Sequence, residues 1–154
     1  GIAVIKVGAP TEIEMIEKKH RIEDALEAVK SAQLEGIVPG AGTALIRAAK
    51  KLKIDHNTNG QKLGADIISS ASVAPLKQMC LNAGESPDLV LSLVQRAQKN
   101  HGFNLVDSKI KDLVKDGVID PVLVTKTALR NANSVASTLI TTNFAIVELP
   151  EGKA

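Results

Sequence analysis

The chain has 154 residues, 44% of them apolar, with 19 basic residues against 17 acidic ones for a formal net charge of +2. That length is enough to bury a core, as one domain or as one domain with an appendage. The charge is spread along the chain, Trp and Tyr are absent, and Phe103 and Phe144 stand alone as aromatics, which argues against both the basic patch and the base-stacking platform of a nucleic-acid binder.

A core drawn from Ala, Val, Leu and Ile favours closely packed helices over a sandwich that leans on aromatics. The lone Cys80 excludes an intrachain disulfide, fits a reducing compartment, and in its apolar context reads as a packed small hydrophobe. No apolar run reaches the length of a membrane span or the pattern of a signal peptide, so a soluble molecule without a membrane partner is expected.

Residues 2–7, Ile-Ala-Val-Ile-Lys-Val, are short and β-branched and predict a strand that needs partners from elsewhere in the chain or from another chain. Thr11-Glu12-Ile13-Glu14 is a capping box, opening a helix that the pattern carries to about Glu35. Its apolar positions, Ile13, Ile16, Ile22, Leu26 and Val29, form a narrow stripe among charges, which suits an arm bridging two bodies. Gly36 is placed to end that helix with positive φ.

The turn Pro39-Gly40-Ala41-Gly42 then launches a helix over residues 43–52, with Ala44, Leu45, Ala48 and Ala49 expected to face inward. A polar loop follows over residues 53–60, then helices over 61–72, 74–83 and 87–99, with Pro75 and Pro87 at first-turn positions. Residues 100–120 read as irregular, with Leu113 and Val114 reaching the core. A helix from Pro121 to about residue 138 and a strand over 144–149, stopped by Pro150, complete the chain. The expected class is therefore mainly α: a helical bundle with a long bridging helix and short strands at both chain ends.

Four features bear on chemistry. Gly40-Ala41-Gly42 before a helix is either a plain turn or a place where backbone N–H groups meet a phosphate or sugar; no Lys-Ser/Thr follows, so it is not a Walker A loop. Asp24, beside Glu23 and Glu27, is either part of a solvated face of i,i+4 pairs or a general base for water attack. Asp120 before Pro121 is either a helix N-cap or an acceptor for ribose hydroxyls. His20, His56 and His101 lie 36 and 45 residues apart and show no metal-ligand spacing, so no metal site is expected.

Longer strings narrow these alternatives. Val4-Ile5-Lys6-Val7-Gly8, Glu17-Lys18-Lys19, Arg21-Ile22-Glu23-Asp24-Ala25-Leu26 and Glu35-Gly36-Ile37-Val38-Pro39-Gly40 come in order. Ala74-Pro75-Leu76, Asn82-Ala83-Gly84, Gly117-Val118-Ile119-Asp120-Pro121 and Thr141-Thr142 follow. Together, from residue 1 to about 150, they closely resemble the C-terminal third of group I (GroEL-type) chaperonins.

The resemblance implies that residues 1–35 are a segment of the intermediate domain and residues 36–154 the C-terminal half of the equatorial ATPase domain. It implies that Asp24 is the carboxylate orienting water for ATP hydrolysis and Gly36 the lower hinge. Gly40, Ala41 and Gly42 become a backbone wall of the nucleotide pocket, Asn104 a residue of the adenine pocket, and Asp120 the ribose-contacting acid. Lys77, Ser86 and Leu89 fall at ring-to-ring contacts, and the terminal strand would join a neighbouring subunit's sheet.

ATP is the implied cofactor, with Mg²⁺ held mainly by residues outside this chain. The implied partners are other subunits of a ring, the N-terminal portion of the chaperonin, a co-chaperonin and unfolded clients. The implied location is the cytoplasm, or the mitochondrial matrix or plastid in a eukaryote. The isolated chain is expected neither to hydrolyse ATP nor to refold a client, because the phosphate loop, the Mg²⁺-binding acid and the apical helices precede this stretch in the family. The rival reading is a non-catalytic chaperonin-derived scaffold that only assembles; a stand-alone helical binding module is a third.

The chain departs from the family at Ala41, where a third glycine is usual, and at Leu105 and Val106, where two small residues usually follow the matching Asn104. Ser86 stands where an acid would pair with Lys77, and the Gly-Met-rich tail is absent.

Overall fold

The structure is a computed structural model, described here for residues 1–52 and 58–147. Helix α1 (Glu12–Glu35) opens with the predicted cap: the Glu14 N–H donates to Thr11 Oγ1 at 3.3 Å. Along its exposed length, Arg21–Glu17, Lys19–Glu23 and Lys30–Glu27 pair one turn apart, each a modest contribution on a solvated helix. None of its 24 residues is buried, and at the usual rise it spans about 36 Å.

Gly36 ends α1 with φ 83° and ψ −165°, its N–H donating to the Ala32 carbonyl at 2.8 Å. That combination is essentially reserved for glycine. From it the chain enters β1 (Ile37–Pro39), the turn, and α2 (Thr43–Lys50). Helices α3 (Asn59–Ala71), α4 (Ala74–Asn82) and α5 (Pro87–Arg96) follow; Pro75 and Pro87 occupy first turns, where the missing N–H costs nothing.

Residues 100–120 are more ordered than the sequence suggests. Strands β2 (His101–Asn104) and β3 (Lys109–Asp112) form a hairpin that pairs His101 with Asp112 and Asn104 with Lys109. Strand β4 (Ile119–Pro121) pairs antiparallel with the distant β1, and α6 (Val122–Ile140) follows at once.

The core lies between α2, α4, α5 and β2, where Ile46, Leu76, Cys80, Val90, Val94 and Phe103 are buried together. Leu113, fully buried as expected, anchors the segment after β3. Gly102 sits where a Cβ would lie 2.4 Å from Thr43 Oγ1 and 2.5 Å from Leu113 Cδ1, so β2 and α2 approach only because that position has no side chain. Outside this core, α1 lies along α6 and β4, fastened by the Lys126–Glu35 ion pair and by Val122 N–H donating to the Gly36 carbonyl at 3.1 Å.

The mainly helical class with a few short strands is what the sequence implied, but the strands lie elsewhere. Residues 2–7 and 144–147 carry no strand pairing, and Ile2, Val4, Phe144 and Ile146 are exposed. A strand exists through its partner, and among the described residues the strands that find one are β1 with β4 and β2 with β3. Residues 148–150, His56 and most of the predicted polar loop lie outside the described residues.

The inward face of α2 also differs. Thr43 and Ile46 are buried while Ala48 is exposed, because starting the helix at Thr43 turns the 43/46 pair, three residues apart, toward the core. Asp120 is not an N-cap: β4 runs through Pro121, which itself caps α6 without a side-chain hydrogen bond.

Candidate functional site

The glycine-rich turn is held between two elements. Gly40 N–H donates to the Val118 carbonyl at 3.0 Å, extending the β1–β4 pairing, and Thr43 N–H donates to the Gly40 carbonyl at 3.0 Å, closing the turn onto α2. Between them, Ala41 and Gly42 both take positive φ, 52° and 68°. An L-residue there costs about 1 kcal/mol, so Ala41 stores strain that a glycine would not. Among the described residues, the N–H groups of Ala41 and Gly42 donate to no group of the chain. Two uncommitted donors thus stand at the positive end of a helix.

The β1–β4 register sets Asp120 directly across from Val38, two residues before the turn. Its carboxyl is half-buried, and burial raises its pKa above the ordinary carboxylate value. Among the described residues no hydrogen-bond donor or cation faces it. It is an acceptor in want of donors.

Asn104 ends β2, buried, and its amide is already engaged. Its Oδ1 accepts from Val106 N–H at 3.0 Å, and its Nδ2 donates to Asp116 Oδ2 at 3.4 Å. Lys111 pairs with Asp107 and lies 3.7 Å from Asp116, completing a polar network on which Asn104 is oriented. Asp107 is held below, and Lys111 above, its ordinary pKa, first of all by the hydrogen bond between them. Leu105 is half-buried, whereas Val106 projects into solvent.

Asp24 stands apart from all of these. It is exposed on α1, twelve residues before Gly36, or about 18 Å along the helix. The structure therefore brings Gly40, Ala41, Gly42 and Asp120 together, links Asn104 to the lead-in of β4 through Asp116, and leaves Asp24 on the arm. Within the chain, Lys77 pairs with Asp88 at 2.8 Å.

Two residues gave no signal in the sequence. Thr43 is fully buried with its Oγ1 unpaired, facing Gly102. Asp116, the partner of Asn104, is one of many acids, and only the folded hairpin singles it out. Among the described residues, no group of three or more His, Cys, Asp or Glu side chains could hold a metal ion, and no helix is long and apolar enough to cross a membrane.

A long exposed helix thus ends at Gly36 and leads into a strand pair and a turn at the edge of a helical body. A group III chaperonin in the open state is similar in structure, with a TM-score of 0.76 and 25% sequence identity over 91% of this chain. In sequence, residues 1–150 match the TCP-1/cpn60 chaperonin family, and the chain belongs to that family. It spans 30% of the length of the group III chaperonin it matches.

Proposed function

We propose that this chain works as part of an ATP-driven, ring-forming chaperonin that assists protein folding, supplying a hydrolysis carboxylate and one wall of a nucleotide pocket. Membership of the chaperonin family supports the protein-folding role. In this reading residues 1–35 belong to the intermediate domain and residues 36–154 to the equatorial domain. The groups named in the sequence fit a nucleotide on the wall they form. Ala41 and Gly42 offer free N–H donors, and Asp120 offers a half-buried acceptor without a partner among the described residues, which suits phosphate or sugar oxygens on one side and ribose hydroxyls on the other. Asn104, its amide engaged by Val106 and Asp116, shapes the pocket edge more than it offers free hydrogen bonds.

Bound ATP with Mg²⁺ would supply a phosphoryl group open to attack by water, the metal being held mainly by residues outside this chain. The part played by this chain is positional. Asp24 rides a helix whose one glycine-only joint is Gly36, so rotation there swings the carboxylate toward the turn and lets it orient water only on closure. The observation that carries the reading is the β1–β4 register, which sets an unpaired acid beside a turn of unpaired donors at the foot of that hinge.

A second reading, a scaffold that only assembles, draws on the exposed Ile2, Val4, Phe144 and Ile146 at the chain ends. Substituting Asp24→Ala in the intact assembly separates the two. Loss of hydrolysis with nucleotide binding retained supports the machine; unchanged hydrolysis supports the scaffold.

A further inference from the structure

Asn104 ends β2, while the turn Gly40–Gly42 lies between β1 and α2, and the loop after β3 ties the two together. Asp116 accepts from Asn104 Nδ2. Two residues further along, the Val118 carbonyl accepts from Gly40 N–H at 3.0 Å. Between these points the loop is closed on itself: Asp116 N–H donates to the Asp112 carbonyl at 3.0 Å, and Val118 N–H to that of Leu113 at 2.8 Å. Leu113 is fully buried, so the span from Asn104 to the turn is anchored in the core.

A buried amide can sit in its place in two ways, related by exchanging Oδ1 and Nδ2. In the orientation present, Asn104 Oδ1 accepts from Val106 N–H at 3.0 Å and Nδ2 donates to Asp116 Oδ2 at 3.4 Å. The exchanged orientation would set Nδ2 against a backbone donor and Oδ1 against a carboxylate, two repulsive contacts. At 3.4 Å the bond to Asp116 is long, so Asp116 acts less by adding strength than by excluding the wrong orientation. Lys111, paired with Asp107 and 3.7 Å from Asp116, tethers that carboxylate. Asp116 takes one of the two Nδ2 hydrogens, and among the described residues no group takes the other.

We propose that Asp116 is a positioning residue for base selectivity: by holding the Asn104 amide in one orientation, on the loop that leads into β4, it sets how well the pocket tells adenine from guanine. The inference rests on the reading that Asn104 borders a nucleotide pocket. A base edge offers donors and acceptors in a fixed order, and an amide matches the donor and acceptor that adenine places side by side. Held one way, the amide accepts that order and rejects others; free to exchange its oxygen and nitrogen, it tolerates more than one. Asp116 keeps 33% of its side chain exposed, so its influence is partly screened and the effect is moderate rather than total.

Dissociation constants of the assembled chaperonin for ATP, GTP and ribose 5-triphosphate, which lacks the base, test the proposal. The unsubstituted assembly should prefer ATP to GTP. Asp116→Ala should narrow that preference about five- to tenfold, the worth of one hydrogen bond, while ribose 5-triphosphate binds within about twofold of before. Asp116→Asn, whose Oδ1 can still accept from Asn104 Nδ2, should keep the preference, and Lys111→Met should narrow it by less than Asp116→Ala. In an Asn104→Ala background Asp116→Ala should change nothing further, because the amide it orients is gone. An equal loss for all three ligands makes Asp116 merely structural and overturns the proposal, as does an unchanged preference. Equal binding of ATP and GTP by the unsubstituted assembly also overturns it; each of these results leaves the proposed function standing. Where Asp116→Ala fails to assemble, an unchanged preference in Lys111→Met overturns the proposal in its place. Failure of the unsubstituted assembly to bind ATP at all defeats the proposed function and this inference with it.

Discussion

The α1 arm and the body that follows Gly36 are built by different physics. The arm buries none of its residues and stands on a threonine cap and pairs of charges one turn apart. The body stands on burial, with Leu76, Cys80, Val90 and Val94 almost completely enclosed. A helix that buries little can move without breaking a core; a packed body holds the geometry of a site. The two meet at a position that glycine alone occupies easily, and among the described residues the Lys126–Glu35 ion pair and the Val122-to-Gly36 hydrogen bond clasp them beyond it.

The contrast can be broken most forcefully inside the body. Leu76→Ala should lower unfolding stability by about 2–5 kcal/mol in urea titration, because a fully buried side chain leaves a cavity. Leu26→Ala on the arm, where the side chain is 46% exposed, should change it by no more than about 0.5 kcal/mol. Comparable losses at the two sites would show that the arm is packed into the body.

The joint should come next. A Cβ added at Gly36 meets nothing within 4 Å, yet its φ of 83° with ψ −165° is strained for any other residue. Gly36→Ala should cost about 1–3 kcal/mol through backbone conformation alone. No cost would mean that the joint relaxes to ordinary dihedrals. In the opposite direction, Ala41→Gly should stabilise the body by about 1 kcal/mol by releasing the positive-φ strain, read as a shift in the urea midpoint.

The smallest effect concerns Asp120. Burial raises its folded pKa, so the folded chain holds that proton more tightly than the unfolded chain does. Its contribution is therefore most favourable below the unfolded value of about 3.9 and is lost as pH rises through the folded value. Asp120→Asn should accordingly be slightly more stable than the parent at pH 7, with the gain disappearing below about pH 4. A gain that persists in acid would assign the effect to something other than the carboxylate charge.

How much of this was legible in the sequence follows the same division. Helical signals act locally: the Thr11 cap, Pro75 and Pro87 in first turns, and Gly36 as a terminator all marked boundaries that the structure reproduces within a few residues. The β1–β4 pair joins residues 37–39 to 119–121 with three residues in each strand, and no local pattern announces such a pairing. It is also what turned Asp120 from a plausible helix cap into a strand residue beside the turn. Conversely, residues 2–7 have strand-like composition but find no partner among the described residues, because β-propensity expresses a fit to neighbours. The turn at Gly40–Gly42 was visible, whereas the positive φ of Ala41 is seen only in the fold. The engagement of Asn104 by Asp116 was not visible, since it depends on the folded hairpin.

The proposed function requires the Asp24 carboxylate on the arm to reach the wall formed by Gly40, Ala41, Gly42 and Asp120 on the body. Steady-state ATP hydrolysis and nucleotide affinity, measured side by side on the assembled chaperonin with and without Asp24→Ala, test it most directly. The account predicts that turnover falls by about 10²–10⁴-fold, the range of a positioned general base, while affinity stays within about threefold because Asp24 lies off the nucleotide wall. Turnover unchanged by the substitution would contradict it.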